Sequence, residues 1–215
     1  MAAAKTGAIF LDRDGVINEN RTDHVKCWDE FEWLPNVQES ICRLAQTGMP
    51  IFVVTNQAII NRGITPESVV QEIHARMVAK IRSAGGRIDK VYYCPHDSHE
   101  NCGCRKPKPG MLKQAAQEWG IDLTRSFIVG DSWTDIEAGL TVGASGILVM
   151  TGRGRDQGNF ARLMINSAVR VGAACDLADA TTLILGALDG APMTTTPRLR
   201  RAFHMALSPN ELTVL

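Results

Sequence analysis

Three observations predict an α/β fold, a doubly wound parallel sheet with helices on both faces, in three α/β/α layers. Short apolar runs alternate along the chain with longer amphipathic stretches. Each run is bounded by Gly, Asp, Asn or Pro, as buried parallel strands are. Chemistry-bearing polar residues follow the ends of these runs, where ligands bind in sheets of this kind.

The predicted strands are Ala8–Leu11, Ile51–Thr55, Ile88–Tyr93, Phe127–Val129 and Gly146–Met150. Between the first two, Asn36–Thr47 places Val37, Ile41, Leu44 and Ala45 on one helical face, and Gly48 stops it. Thr65-Pro66-Glu67 is a helix start, with a hydroxyl cap, Pro in the first turn and an acid behind it. That helix carries Val69, Ile73, Met77 and Ile81 at four-residue spacing and ends at Gly85-Gly86. Pro109–Trp119 and Thr134–Thr141 supply two more. After Leu188 the pattern decays into Asp189-Gly190-Ala191-Pro192 and an Arg-rich stretch. The expected division is therefore a domain over 1–188 and a tail of unknown role over 189–215, with a short helix near Ala202–Leu207.

Composition narrows the function classes. At 215 residues, 45% hydrophobic and 21% charged, the chain can bury a sizeable core. With 23 basic and 23 acidic residues it lacks the basic excess of a nucleic-acid binder. No apolar run reaches the ~20 residues of a membrane span. The apolar stretch Ala8–Leu11 is cut off by Asp12, too soon for a signal-peptide core, so a cytoplasmic protein is expected; a monomer is the separate expectation for its assembly. In that reducing compartment the six cysteines should not form a disulfide framework.

Asp12-Arg13-Asp14-Gly15 follows the first strand. Two carboxylates that close repel unless a cation sits between them, and oxygen ligands with spare water positions suit Mg²⁺. An Asp-rich turn is the plainer alternative. Thr55-Asn56-Gln57 ends the second strand and can donate to phosphoryl oxygens. Arg105-Lys106-Pro107-Lys108 follows the third and can neutralise a phosphate, through either lysine. Gly130-Asp131-Ser132-Trp133-Thr134-Asp135 follows the fourth and adds two acids.

A separate constellation is Cys94-Pro95-His96 and Cys102-Gly103-Cys104, spaced C-x-H-x5-C-x-C. Three thiolates and one imidazole complete a tetrahedral set with no open position, as in structural zinc sites. His99 is the alternative nitrogen ligand, and free thiols on a surface loop are the alternative to a metal.

Residues 8–150, with D-x-D-G, Thr, Lys and G-D-x-x-x-D in this order, resemble the haloacid dehalogenase (HAD) superfamily of phosphatases. The resemblance implies Asp12 as nucleophile and Asp14 as general acid and base. It implies Thr55 and Lys106 as phosphoryl contacts, and Mg²⁺ held by Asp12, the Asp14 carbonyl and Asp131, with Asp135 in support. The zinc loop is similar to that of the branch containing heptose 1,7-bisphosphate phosphatases and histidinol-phosphate phosphatases. Thr55-Asn56-Gln57 with Arg62-Gly63 looks more like the heptose enzymes, and the short zinc loop like the histidinol ones. Hydrolysis of a sugar bisphosphate, most closely a heptose 1,7-bisphosphate, is the activity implied. Histidinol-phosphate hydrolysis and a silent zinc-stabilised binding module are the alternatives. The implied substrate contacts are Asn20, Arg21, Thr22, Asp23, Asn56, Gln57, Arg105 and Lys106. The 20–23 stretch departs from the heptose pattern, which leaves substrate identity open. The implied partner is a small phosphorylated molecule, with neither nucleic acid nor membrane. No crossover is long enough for an inserted cap domain, so the zinc loop and the 19–34 segment should cover an open site. His24 should be a surface or packing residue, and Trp28, Phe31 and Trp33 should pack that segment on the body.

Overall fold

The computed structural model describes residues 6–155 and 170–206. Six parallel strands run in the order β3-β2-β1-β4-β5-β6: β1 (Ile9–Leu11), β2 (Ile51–Asn56), β3 (Lys90–Cys94), β4 (Phe127–Gly130), β5 (Ser145–Val149) and β6 (Val171–Ala174). The five expected strands are present within one or two residues. The sixth has no counterpart in the sequence reading, because Val-Gly-Ala-Ala is short and carries a single β-branched residue and no aromatic one to mark a strand.

Alternation along the strands fills both faces. Ile9, Leu11, Ile51, Val53, Val129 and Val149 point to one face and pack against α1 (Val37–Ala45), α2 (Glu67–Ser83) and α5 (Leu177–Leu188). Phe10, Phe52, Val54 and Ile128 point to the other and meet α3 (Gly110–Trp119) through Met111, Leu112 and Ala115. Ile136 of α4 (Trp133–Leu140) packs there on Leu148 and Val171. On the inner face of α2 the expected Val69 is only partly buried, and Val70 and His74 take its place beside Ile73, Met77 and Ile81. The helix starts at Glu67 with Pro66 at its cap, and no side chain caps it.

The chain leaves β1 in one direction to β2 and returns on the other side to β4, so strand order reverses at β1. The crevice at that reversal, beyond the carboxyl ends of the strands, is where such sheets bind ligands. Residues 17–34 fold back as a small ribbon beside it, through an Asn18–Trp33 bridge and bonds from Glu19 N to Glu32 O and Leu34 N to Ile17 O. Phe31 stacks on Trp28 and meets Trp33 edge-on, both at 5.0 Å between centroids, which seats this ribbon on the core as expected. Among the described residues no domain interrupts a crossover.

Part of the expected tail is built into the body. Thr195 bridges to Ala173, Thr196 N–H donates to the Ala173 carbonyl, and the Thr196 hydroxyl bonds Asp179. A final helix, α6 (Pro197–Ala206), begins earlier than the sequence suggests and buries Leu199 against Leu148 and Val171. No described helix is long and apolar enough to cross a membrane.

Candidate active site

Asp12 is held at the end of β1 by a bond from its N–H to the Val129 carbonyl, at 2.9 Å. Its carboxylate accepts from the Arg13 N–H at 2.7 Å and lies 3.0 Å from the ammonium of Lys106. That ammonium is also 2.6 Å from Asp135 and donates to the Val54 carbonyl at 2.7 Å. Lys106 is buried, whereas Lys108 lies at the surface and donates to Asn101. The structure thus brings Lys106, and not Lys108, to the carboxylates. Asn56 holds the Lys106 backbone from both sides, donating to its carbonyl and accepting its N–H, each at 3.1 Å.

Asp131 follows β4 and accepts from the Arg153 N–H at 2.9 Å and the Asn20 amide at 3.2 Å. Asp135 lies one turn into α4, where it and Ser132 form a capping box. Asp12, Asp131 and Asp135 each place a carboxylate oxygen within 4.8 Å of the others, a group that can hold a cation. Burial pushes Asp12 up to about 8, with Asp135, Asp131 and Asp14 adding to the rise and Lys106 opposing it. Asp131 is raised to about 6, by burial and by Asp135. Acids this costly to ionise together fit a divalent cation, whose charge favours their anionic forms.

Asp14 is arranged differently. Its carboxylate lies outside that group and accepts a two-pronged contact from Arg13 at 2.8 and 2.9 Å, with amides of Asn18 and Gln57 at 2.9 and 2.8 Å. Burial alone would raise its pKa, but the Arg13 charge and these donors more than offset that and hold it below the usual carboxylate range. The Asp14 carboxylate is thus taken up by these donors and is not among the acids grouped with Asp12, Asp131 and Asp135.

The four proposed zinc ligands converge. The Cys94, Cys102 and Cys104 sulfurs lie 3.2–3.5 Å apart, and His96 Nδ1 is 3.5 Å from Cys94 and 3.2 Å from Cys104. A tetrahedron with metal–sulfur bonds of about 2.3 Å has edges of roughly 3.8 Å, so small outward shifts admit the ion. His99 is turned outward, 81% exposed, toward Asp97. The loop is tied to the segment after β2 by the Arg62–Asp97 pair, at 2.6 and 3.0 Å, and by Asn61 on Glu100.

A cavity of about 490 Å³ opens over Asp12, Asp14, Thr55, Lys106, Asp131 and Asp135. Asn20, Arg21, Asn56 and Arg105 line it, whereas Thr22, Asp23 and Gln57 do not. Asp23 instead pairs with Arg21 and Lys26, and the buried Gln57 bonds Thr55 Oγ1 and Asp14. His24, expected at the surface or in packing, is a cavity wall residue with φ of 64°.

Comparison with known proteins agrees with this geometry. A HAD-hydrolase-like family model matches residues 103–168. The D-glycero-beta-D-manno-heptose-1,7-bisphosphate 7-phosphatase of Pseudomonas aeruginosa is 43% identical over 68% of this chain and 82% of its own. The alpha-anomer enzyme of Campylobacter jejuni is 38% identical over 75% of this chain and 92% of its own. The chain belongs to the heptose-bisphosphate phosphatase family of the HAD superfamily. Among solved structures, the D,D-heptose 1,7-bisphosphate phosphatase of B. bronchiseptica, complexed with magnesium and phosphate, superposes with a TM-score of 0.78. The identity is 33%, over 86% of this chain and all of the other.

Within this HAD phosphatase, sequence reasoning passed over three residues. Arg13 is almost wholly buried, and His74 lies beneath it, with Nε2 3.1 Å from the guanidinium. Arg153 lines the cavity from the loop after β5. A buried Arg between two catalytic-type acids leaves no periodic signal. His74 falls on the α2 core face, where the helical period could have found it.

Proposed function

We propose that this phosphatase hydrolyses the 7-phosphate of a D-glycero-D-manno-heptose 1,7-bisphosphate through a phosphorylated Asp12. The observation that carries the reading is the Asp12 carboxylate beside Lys106, in the cavity with Thr55, Asp131 and Asp135. The relatives' substrate supports the choice of sugar over the histidinol phosphate and binding-module alternatives.

Lys106 orients Asp12 and offsets negative charge on the transferring group, and the Thr55 hydroxyl, at the end of β2, donates to one of its oxygens. Asp12 attacks phosphorus, and the leaving alcohol takes a proton from Asp14. In the second step the Asp14 carboxylate, held by Arg13, takes a proton from a water whose oxygen attacks phosphorus. The bond from phosphorus to Asp12 breaks, phosphate leaves, and Asp14 is again an acid. Mg²⁺, held by Asp12, Asp131 and the Asp14 carbonyl, would supply charge stabilisation to the transferring group. Zn²⁺ on Cys94, His96, Cys102 and Cys104 would fix Arg105 and Lys106, which follow directly.

The test compares kcat/KM on both heptose 1,7-bisphosphate anomers, histidinol phosphate and an aryl phosphate, with and without Mg²⁺. A preference for a heptose bisphosphate is expected, with turnover lost when Mg²⁺ is removed and in Asp12→Asn. Turnover of histidinol phosphate alone overturns the substrate; an Asp12→Asn variant as fast as wild type overturns the mechanism.

A further inference from the structure

We propose that Arg153 determines specificity by receiving the second, non-transferring phosphate of the substrate, an inference that rests on the bisphosphate reading above. Four arginines line the cavity: Arg21, Arg62, Arg105 and Arg153. Arg21 is paired with Asp23, Arg62 holds Asp97 with two nitrogens, and Arg105 donates to the His96 carbonyl at 3.2 Å. The Arg153 guanidinium has neither a hydrogen bond nor an ion pair among the described residues, although its backbone is held firmly.

That backbone is pressed onto the catalytic loops by its neighbours. Thr151 Oγ1 donates to the Gly15 carbonyl at 2.5 Å, and the Arg153 N–H donates to Asp131 at 2.9 Å. Gly152 has φ of 51°, and a Cβ there would overlap the Asp131 carboxylate and come within 2.8 Å of Gly15 Cα. A Cβ on Gly154 would run into the Val149 carbonyl. Two glycines thus let the main chain approach as closely as it does. The side chain between them is delivered to the cavity from a fixed base.

Position gives this guanidinium its role. The sheet order puts the zinc loop, after β3, on one side of Asp12 and the loop after β5 on the other. The transferring phosphoryl belongs over Asp12 and Lys106, so an anion at the far end of a bisphosphate needs a cation away from that point. Arg153 offers one whose fork has no partner among the described residues, suited to two parallel bonds with a phosphate. A neutral sugar alcohol at that end would leave the guanidinium solvated.

The experiment measures kcat and KM of wild type, Arg153→Ala and Arg153→Lys on a heptose 1,7-bisphosphate and on the matching 7-monophosphate. The ratio of kcat/KM, bisphosphate over monophosphate, is expected to fall about tenfold or more in Arg153→Ala, the scale of one lost hydrogen bond to a charged group. The loss should be a rise in KM, and Arg153→Lys should recover part of it. An unchanged ratio, including equal losses on both substrates, overturns the proposal, since it assigns Arg153 to positioning Asp131 or to nothing. If wild type does not turn over the heptose compound, the substrate reading fails separately. The ratio is then read on fructose 1,6-bisphosphate against fructose 6-phosphate, and a wild type with no preference for the bisphosphate overturns the Arg153 role.

Discussion

Gly15 meets two demands at once. Its φ of 85° lies in the left-handed region, and a Cβ there would overlap the carboxylate of Asp131. The conformation alone costs a side-chain-bearing residue about 1–2 kcal/mol. The overlap falls on a residue of the carboxylate group, so Gly15→Ala should lower kcat by more than its loss of stability explains. A thermal melt beside steady-state kinetics reads both; a destabilised variant of normal kcat would refute it. Beneath the same turn, burial and the Arg13 charge push His74 down to about 3, so it stays neutral and can accept from Arg13. An unperturbed histidine titrates at 6.5, so between pH 6.5 and 3 the unfolded chain binds more protons. Stability from this group is thus complete above pH 6.5 and declines as the pH falls, by at most about 1.4 kcal/mol per pH unit. Denaturant unfolding from pH 7 to 4.5 should show His74→Gln with a shallower decline than wild type, and parallel curves would exclude the histidine as the cause.

At the scale of elements, the cysteine–histidine loop joins three parts of the site. Cys94 ends β3, Cys104 precedes Arg105 and Lys106, and Arg62–Asp97 ties the loop to the segment after β2. The stretch has little apolar burial of its own beyond Cys94, so a metal bound there would substitute for a core. Cys104→Ser should abolish stoichiometric zinc in elemental analysis, lower the melting temperature and raise KM through the loosened Arg105. A wild-type protein free of zinc, with Cys104→Ser matching it in both readouts, would show that the cluster is not a metal site.

For the whole molecule, the reversal of strand order at β1 gathers residues 12, 55, 106 and 131, far apart in the chain, around one crevice. The segment after 188 belongs partly to this body: Leu199 is 3% exposed and Thr196 is 1% exposed. Burying a leucine is worth roughly 1.5–3 kcal/mol, so removing residues 195–215 should lower unfolding free energy by at least that order. Unaltered denaturant midpoint and slope would show that the docked helix contributes no stability.

The sequence by itself determined the elements and their order, because hydrophobic period and local turn residues are properties of neighbours along the chain. It also determined the cysteine–histidine set, whose spacing limits which ligands can converge, and the acids at strand ends, whose positions follow from where each strand stops. The weakly patterned β6 and the early start of α6 depended on the sheet edge they pack against. Which lysine enters, why Gln57 faces Asp14 and how Arg13 comes to be buried over His74 were decided only by the tertiary structure. Such orientations depend on charges and voids supplied by distant segments, and side-chain direction at a loop follows no period that a sequence can display.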